Sequence, residues 1–280
     1  MPGTATAGRA MSKPSAAQRL LRLSAFDLWK WVRQPRLEWA KVITPARIPA
    51  AEAAAVMFPE IGGDQIEAYR LEYLTSGEFF EEVSSRMLEK RKRRPRWIGW
   101  LEFFYIAVRA LRPKVICETG VFDGESSSTT LLALARNGGG TLVSVDLPAV
   151  QGIASSTDRM QDSDLPRGCD PGWIIPEHLR GRWRLFLGDS KVMLPKIFEE
   201  YPQIDIFFHD SLHTFEHQYF EYSAAWPHLR QGGLLLSDDI LWNHAFQKFC
   251  REKHLTYVNL AERNHHYWTN FNEGFGAARK

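Results

Sequence analysis

Residues 115–126, Val-Ile-Cys-Glu-Thr-Gly-Val-Phe-Asp-Gly-Glu-Ser, constrain the fold more than any other stretch of this chain. An apolar run ends in Glu118, two glycines follow four residues apart, and small hydroxyl residues open a helical pattern. That order reads as a strand, a tight turn and a helix start, the first unit of a doubly wound α/β sheet. Gly120 permits the sharp turn, and Gly124 lets the backbone approach a ligand. About 20 residues on, a second short strand ends at Asp146, where a carboxylate can hold the two hydroxyls of a ribose. The spacing is G-x-x-x-G, not the G-x-G-x-x-G that wraps a pyrophosphate, and Glu118 would repel phosphates. A carboxylate there suits a cofactor with a cationic amino-acid end, which favours S-adenosylmethionine over NAD.

From Lys114 onward strands and helices alternate, the pattern of a mostly parallel sheet covered by helices. Strands are expected at 115–118, 141–146, 183–187, 204–209, 233–237, 256–260 and 267–277, and helices at 125–136, 190–200, 214–229 and 242–252. The last two strands, separated by residues 263–266, read as a hairpin that makes one strand antiparallel. The expected fold class is therefore α/β, a Rossmann-like, doubly wound sheet of seven strands with a helical N-terminal extension. Residues 1–15 read as a disordered tail and 16–95 as the extension, with a helix break at Pro35. Residues 96–280 form the cofactor-binding domain, led in by the apolar helix 97–111. The segment 148–180, rich in Ser, Asp, Pro and Gly and carrying Trp173, is too long for a simple connection and suits a lid or substrate loop.

A chain of 280 residues with 44% apolar and 24% charged residues can bury one full α/β domain plus an extension. Three separated cysteines support neither a disulfide framework nor a zinc cluster, and a cytoplasmic setting fits them. No run approaches the ~20 apolar residues of a membrane span. The net charge of +2 gives no global reason to expect nucleic acid. Seven basic residues between 86 and 96 read as a solvated helix end, with a phosphate patch as the alternative.

Ligands in an open α/β sheet sit at the carboxyl ends of the strands, so strand-end residues carry the chemistry. Asp189, followed by Ser190, could accept from an adenine amino group. Asp210 ends one strand, and Asp238 and Asp239 end the next, 28 and 29 residues later, about one helix-plus-strand crossover. Three carboxylates together suit Mg²⁺ or Ca²⁺, whereas separately they would cap helices. His213 is a candidate general base, with His217 one turn further on as its substitute. His209 is expected to point away from the site. Ser126 either satisfies the helix start or touches the cofactor's carboxylate.

With those residues in order, residues 95–280 resemble class I S-adenosylmethionine-dependent methyltransferases, and within them the metal-dependent O-methyltransferases of the catechol and macrocin/mycinamicin sugar types. The resemblance implies that Glu118, Gly120, Gly124 and Ser126 form the cofactor loop, Asp146 is the ribose acid, and Asp189 and Ser190 the adenine edge. It implies Mg²⁺ on Asp210, Asp238 and Asp239, and catalysis by His213 and Asp210. The acceptor it implies is a small molecule with vicinal hydroxyls, such as a sugar, catechol or antibiotic scaffold. In relatives such an N-terminal extension covers the active site or forms oligomer contacts, so a homo-oligomer is expected. The Asp238-Asp239 pair departs from the Asp-Asn or Glu-Asp of many relatives.

Overall fold

Buried apolar runs set the order of this chain's elements. The computed structural model describes residues 43–97, 99–147, 164–260 and 274–280, together with residues 32, 35 and 39. A two-residue strand β1 (Arg47–Ile48) is followed by helices α1 (Ala50–Met57), α2 (Gly63–Leu74) and α3 (Gly77–Arg91). Helix α4 (Trp100–Leu111) buries nine of its 12 residues, so it is an interior helix and not an amphipathic surface one. It stops at Arg112, whose left-handed φ of 46° closes the last turn before Pro113. Strand β2 (Val115–Thr119), helix α5 (Glu125–Asn137) and strand β3 (Thr141–Asp146) come next, α5 being bounded by left-handed Gly124 and Gly138.

Beyond a short 3₁₀ turn (Glu177–Arg182), the chain continues as β4 (Trp183–Leu187), α6 (Ser190–Glu200), β5 (Ile204–His209), α7 (Phe215–Ala225) and β6 (Leu229–Ser237). It finishes as α8 (Ala245–Glu252), β7 (Tyr257–Leu260) and β8 (Phe275–Arg279). One sheet holds all the described strands, in the order β1-β7-β8-β6-β5-β2-β3-β4. β8 alone runs antiparallel to its neighbours β6 and β7. The order reverses between β2, which pairs with β3 on one side, and β5 on the other. That switch point is where a ligand crevice opens.

The expected sheet is therefore present with one strand more. β1 comes from the extension and pairs with β7 over two residues, too short to leave a periodic signal. Its approach is fixed by side chains: Asn259 Nδ2 donates to the Pro45 carbonyl at 3.2 Å, and the Tyr257 hydroxyl to the Ile43 carbonyl at 3.1 Å. β6 starts four residues earlier than expected, because α7 already ends at Ala225, ahead of Pro227. α8 starts at Ala245 rather than 242, since Asn243 turns the chain by accepting from the Ala245 N–H at 2.8 Å. The last strand begins at Phe275, while the expected turn at 263–266, all of 148–163 and nearly all of 16–42 lie outside the described residues.

Helices α1–α5 cover one face of the sheet and α6–α8 the other. The extension shares the core of the domain: Met57, Ile66, Phe79, Val83 and Met87 are buried in one cluster with Phe103, Phe104 and Ile106 of α4. Tyr73 stacks on Tyr105 at 5.0 Å, and Arg70 Nε donates to Glu102 at 2.8 Å. Each large side chain buried this way contributes about 1.5–3 kcal/mol. At the carboxyl edge of the sheet Trp100 stacks on Phe275 at 4.5 Å and lies 5.4 Å from Phe208. This aromatic wedge ties the start of α4 to β5 and β8, beneath the site.

Candidate functional site

The loop after β2 is shaped by main-chain geometry. Gly120 has φ +85°, and a Cβ there would lie 1.9 Å from the Asp210 carbonyl oxygen, so only glycine fits. The Asp210 N–H in turn donates to the Thr119 carbonyl at 2.8 Å, which joins the β2 loop to the β5 loop. Gly124, φ +103°, serves a different approach from the one expected. A Cβ there would meet the chain's own Gly172 at 2.8 Å, so its bareness admits the segment after residue 164 and not a ligand.

Glu118 is fully buried beneath this loop. Its Oε1 accepts from Ser127 at 2.5 Å and from Ser144 at 2.6 Å, while Oε2 is buried with no hydrogen-bond partner. Burial raises the carboxyl to about 7, the two serine hydroxyls oppose that, and the charges of Asp210 and Asp146 add to it. An orphaned carboxylate oxygen is what a cationic amino group would complete, so the residue fits the expected cofactor. Asp146 does more than wait for a ribose. Its Oδ2 accepts from the N–H groups of Val121 and Phe122 at 2.7 and 2.9 Å, holding the turn in which Phe122 takes a positive φ of 50°. Ser126 is buried in the first turn of α5. Asp189 caps α6, accepting from the Lys191 N–H at 2.8 Å.

Across the switch point, His213 stands between two acids. Its Nε2 lies 3.6 Å from Asp210 Oδ1 and its Nδ1 3.4 Å from Asp239 Oδ2. The indole of Trp242 closes one side, 6.1 Å from ring to ring, and Asn243 Nδ2 donates to the His213 carbonyl at 3.1 Å. Burial raises the Asp210 carboxyl above the usual carboxylate range, with a hydrogen bond to Asp238 opposing it. Asp239 holds a left-handed φ of 51°, a strained conformation for a residue other than glycine.

His217, the alternative base, is engaged elsewhere: its Nε2 is 3.1 Å from Ser190 Oγ and 2.9 Å from Glu221 Oε1. Glu221, which the sequence reading passed over, is the hub of this side. Its buried carboxylate accepts from Thr119 Oγ1 at 2.6 Å, His209 Nδ1 at 2.6 Å, Ser211 Oγ at 2.9 Å and His217. Burial raises the Glu221 carboxyl, but the two histidines outweigh it and hold the group far below the ordinary range. His209 does not point away as expected. Its ring meets that of His213 edge to face at 5.4 Å, and with Nδ1 donating to Glu221 its Nε2 is buried without a partner. The signal for Glu221 was its place seven residues after Thr214 and four after His217, on one helical face.

Among the described residues no group of three or more His, Cys, Asp or Glu side chains is arranged to hold a metal ion. His213 stands between Asp210 and Asp239. Nor is the 86–96 run a purely solvated end, because Arg91 is largely buried and bound to Asp123.

Residues 117–240 match a family model described as a methyltransferase domain. No curated protein matches the sequence. Among solved structures, the chain is similar to the O-methyltransferase from Bacillus cereus in complex with SAH, at 15% identity, covering 77% of this chain and 100% of that one with a TM-score of 0.50. It is also similar to a Klebsiella pneumoniae protein assigned as an O-methyltransferase, at 17% identity, covering 72% and 89% with a TM-score of 0.51. At such identities the likeness is one of fold. No described helix is long and apolar enough to cross a membrane.

Proposed function

We infer that this chain, whose residues 117–240 match a methyltransferase-domain model, is a class I S-adenosylmethionine-dependent methyltransferase that methylates a hydroxyl oxygen of a small molecule. The observation that carries this reading is the contact between two loops. Gly120 of the cofactor loop lies against the Asp210 carbonyl, and the base candidate His213 is three residues further on. The O-methyltransferase names of the two similar structures support oxygen as the acceptor atom.

S-adenosylmethionine supplies, when bound, an electrophilic methyl group on a sulfonium. Glu118, Gly120, Ser126 and Asp146 would hold it, with Asp189 and Ser190 at the adenine edge. His213 takes the proton of the acceptor hydroxyl as that oxygen attacks. The carboxylates beside its two ring nitrogens offset the charge the imidazole gains and fix the ring's orientation. Aligning the acceptor with the methyl group is the larger part of the work, and the burial of the site's floor serves it. For Mg²⁺ to be held by Asp210, Asp238 and Asp239, His213 would have to leave its place between them, so the route runs through His213 without a metal. An acceptor with two neighbouring hydroxyls suits the site, one oxygen at His213 and the other at the aspartates.

The test is methyl transfer from isotopically labelled cofactor to a panel of catechols and sugars, in excess chelator, with products read by mass spectrometry. Methyl ethers formed at an undiminished rate are expected. Products methylated only on nitrogen or carbon would overturn the oxygen assignment, and a rate lost to chelator and restored by Mg²⁺ would return the aspartates to a metal.

A further inference from the structure

Asp123 lies in the cofactor loop with only 2% of its surface exposed, and its partners all come from elsewhere in the chain. Arg91, the last residue of α3, grips both carboxylate oxygens at 2.6 and 2.7 Å, and Arg93 lies 3.7 Å away. Trp173 Nε1 donates to Asp123 Oδ1 at 2.8 Å. The Arg91 guanidinium also sits 4.7 Å from the centre of the Phe122 ring and donates to the Asp164 carbonyl at 3.0 Å. Main-chain bonds repeat the pattern: the Gly172 N–H donates to the Phe122 carbonyl at 2.8 Å, and the Ile174 N–H to the Asp123 carbonyl at 3.3 Å. The extension and the 164–175 segment thus converge on one loop residue.

The loop they grip needs fixing. Gly120, Phe122 and Gly124 all have positive φ, a combination that a free chain rarely holds. A bidentate arginine–carboxylate pair is both strong and directional, and removing one partner leaves a buried charge alone. We propose that Arg91 and Trp173 are positioning residues for the cofactor: through Asp123 they hold residues 120–124 in their binding shape, which makes the extension and the 164–175 segment parts of the cofactor site. The inference rests on the reading of this loop as the S-adenosylmethionine site. By reciprocity, cofactor binding tightens the end of α3 on the loop.

The probe is S-adenosylhomocysteine, titrated calorimetrically into the full chain. A second readout is tryptic cleavage at the exposed Lys90 and Lys92 beside the grip, with and without the probe. In the wild type the probe is expected to bind and to slow that cleavage. Arg91→Met weakens binding about tenfold and Trp173→Phe about threefold, and both lose much of the protection, a readout that a merely structural role would not move. Should Arg91→Met fail to fold, Trp173→Phe, which removes one hydrogen bond and keeps a ring, carries the same comparison. Variants that bind and are protected like the wild type overturn the proposal. A wild type that does not bind the probe overturns the cofactor reading beneath it.

Discussion

The two halves of the pocket are made of different materials. On the β2–β3 side the shape comes from main chain: glycines with positive φ, a loop closed by backbone N–H groups on Asp146, and one buried acid beneath. On the β5–β6 side it comes from side chains, a histidine between two aspartates with a second layer of Glu221, His209 and His217 behind it. The difference teaches where tolerance lies. A main-chain site is lost when a Cβ is added, whereas a side-chain site is lost when one partner in a network is removed.

The sharpest break between the halves is His213→Ala. Turnover is expected to fall by about 10²–10⁴-fold while affinity for S-adenosylhomocysteine stays unchanged, since general-base catalysis contributes that much. Initial rates and calorimetry on the same preparation check both parts. A rate that survives would remove the base from this half altogether.

Glu221→Gln probes the second layer. Four donors converge on this buried carboxylate, and the amide that replaces it cannot accept from all of them, so a loss of about 2 kcal/mol of stability is expected. The sign with pH follows from the direction of the shift. Because folding holds Glu221 below its unfolded value near ~4.3, its stabilisation is full above that pH and fades as the pH falls below it. Denaturant melts of the two proteins should therefore converge in acid; a gap independent of pH would mean that Glu221 acts by shape and not by charge.

The mildest effect is expected in the cofactor half. Glu118 is raised to about 7 in the free protein, so near neutrality it is partly protonated, and a cationic ligand must drive it to ionise. Affinity for S-adenosylhomocysteine should strengthen as the pH rises from about 6 towards 8 by less than about tenfold per unit, with proton release. Glu118→Gln should flatten that part of the profile. In stability the sign is opposite to that of Glu221: a raised carboxyl favours the fold below its unfolded value and loses that benefit as the pH rises through about 7.

The same contrast explains what could be read from the sequence. Strand ends and glycine spacing are local, so the alternation from Lys114 onward and the loop at 118–126 were legible, and Asp146, Asp210, His213 and Asp239 lie at the carboxyl edge where strand-end logic put them. Contacts that depend on register between distant elements were not. Glu221 looks like any polar residue of a helix until α7 is laid against β2 and β5. Arg91 looks like one more solvated cation until the end of α3 meets Asp123, 32 residues away. The aspartate trio was only partly legible. Sequence spacing can bring three carboxylates to one edge, yet it is silent on whether a histidine lies between them.

The place of β8 has a consequence for synthesis. The ribosome makes β7 before β8, yet β8 lies between β6 and β7 in the sheet. Until Phe275–Arg279 emerges, β7 has no edge of the central sheet to join, and β1, which pairs with β7, has none either. Phe275 is also the ring on which Trp100 stacks. The first and last of the described strands therefore dock late and together, and the β6 edge stays open until β8 is made.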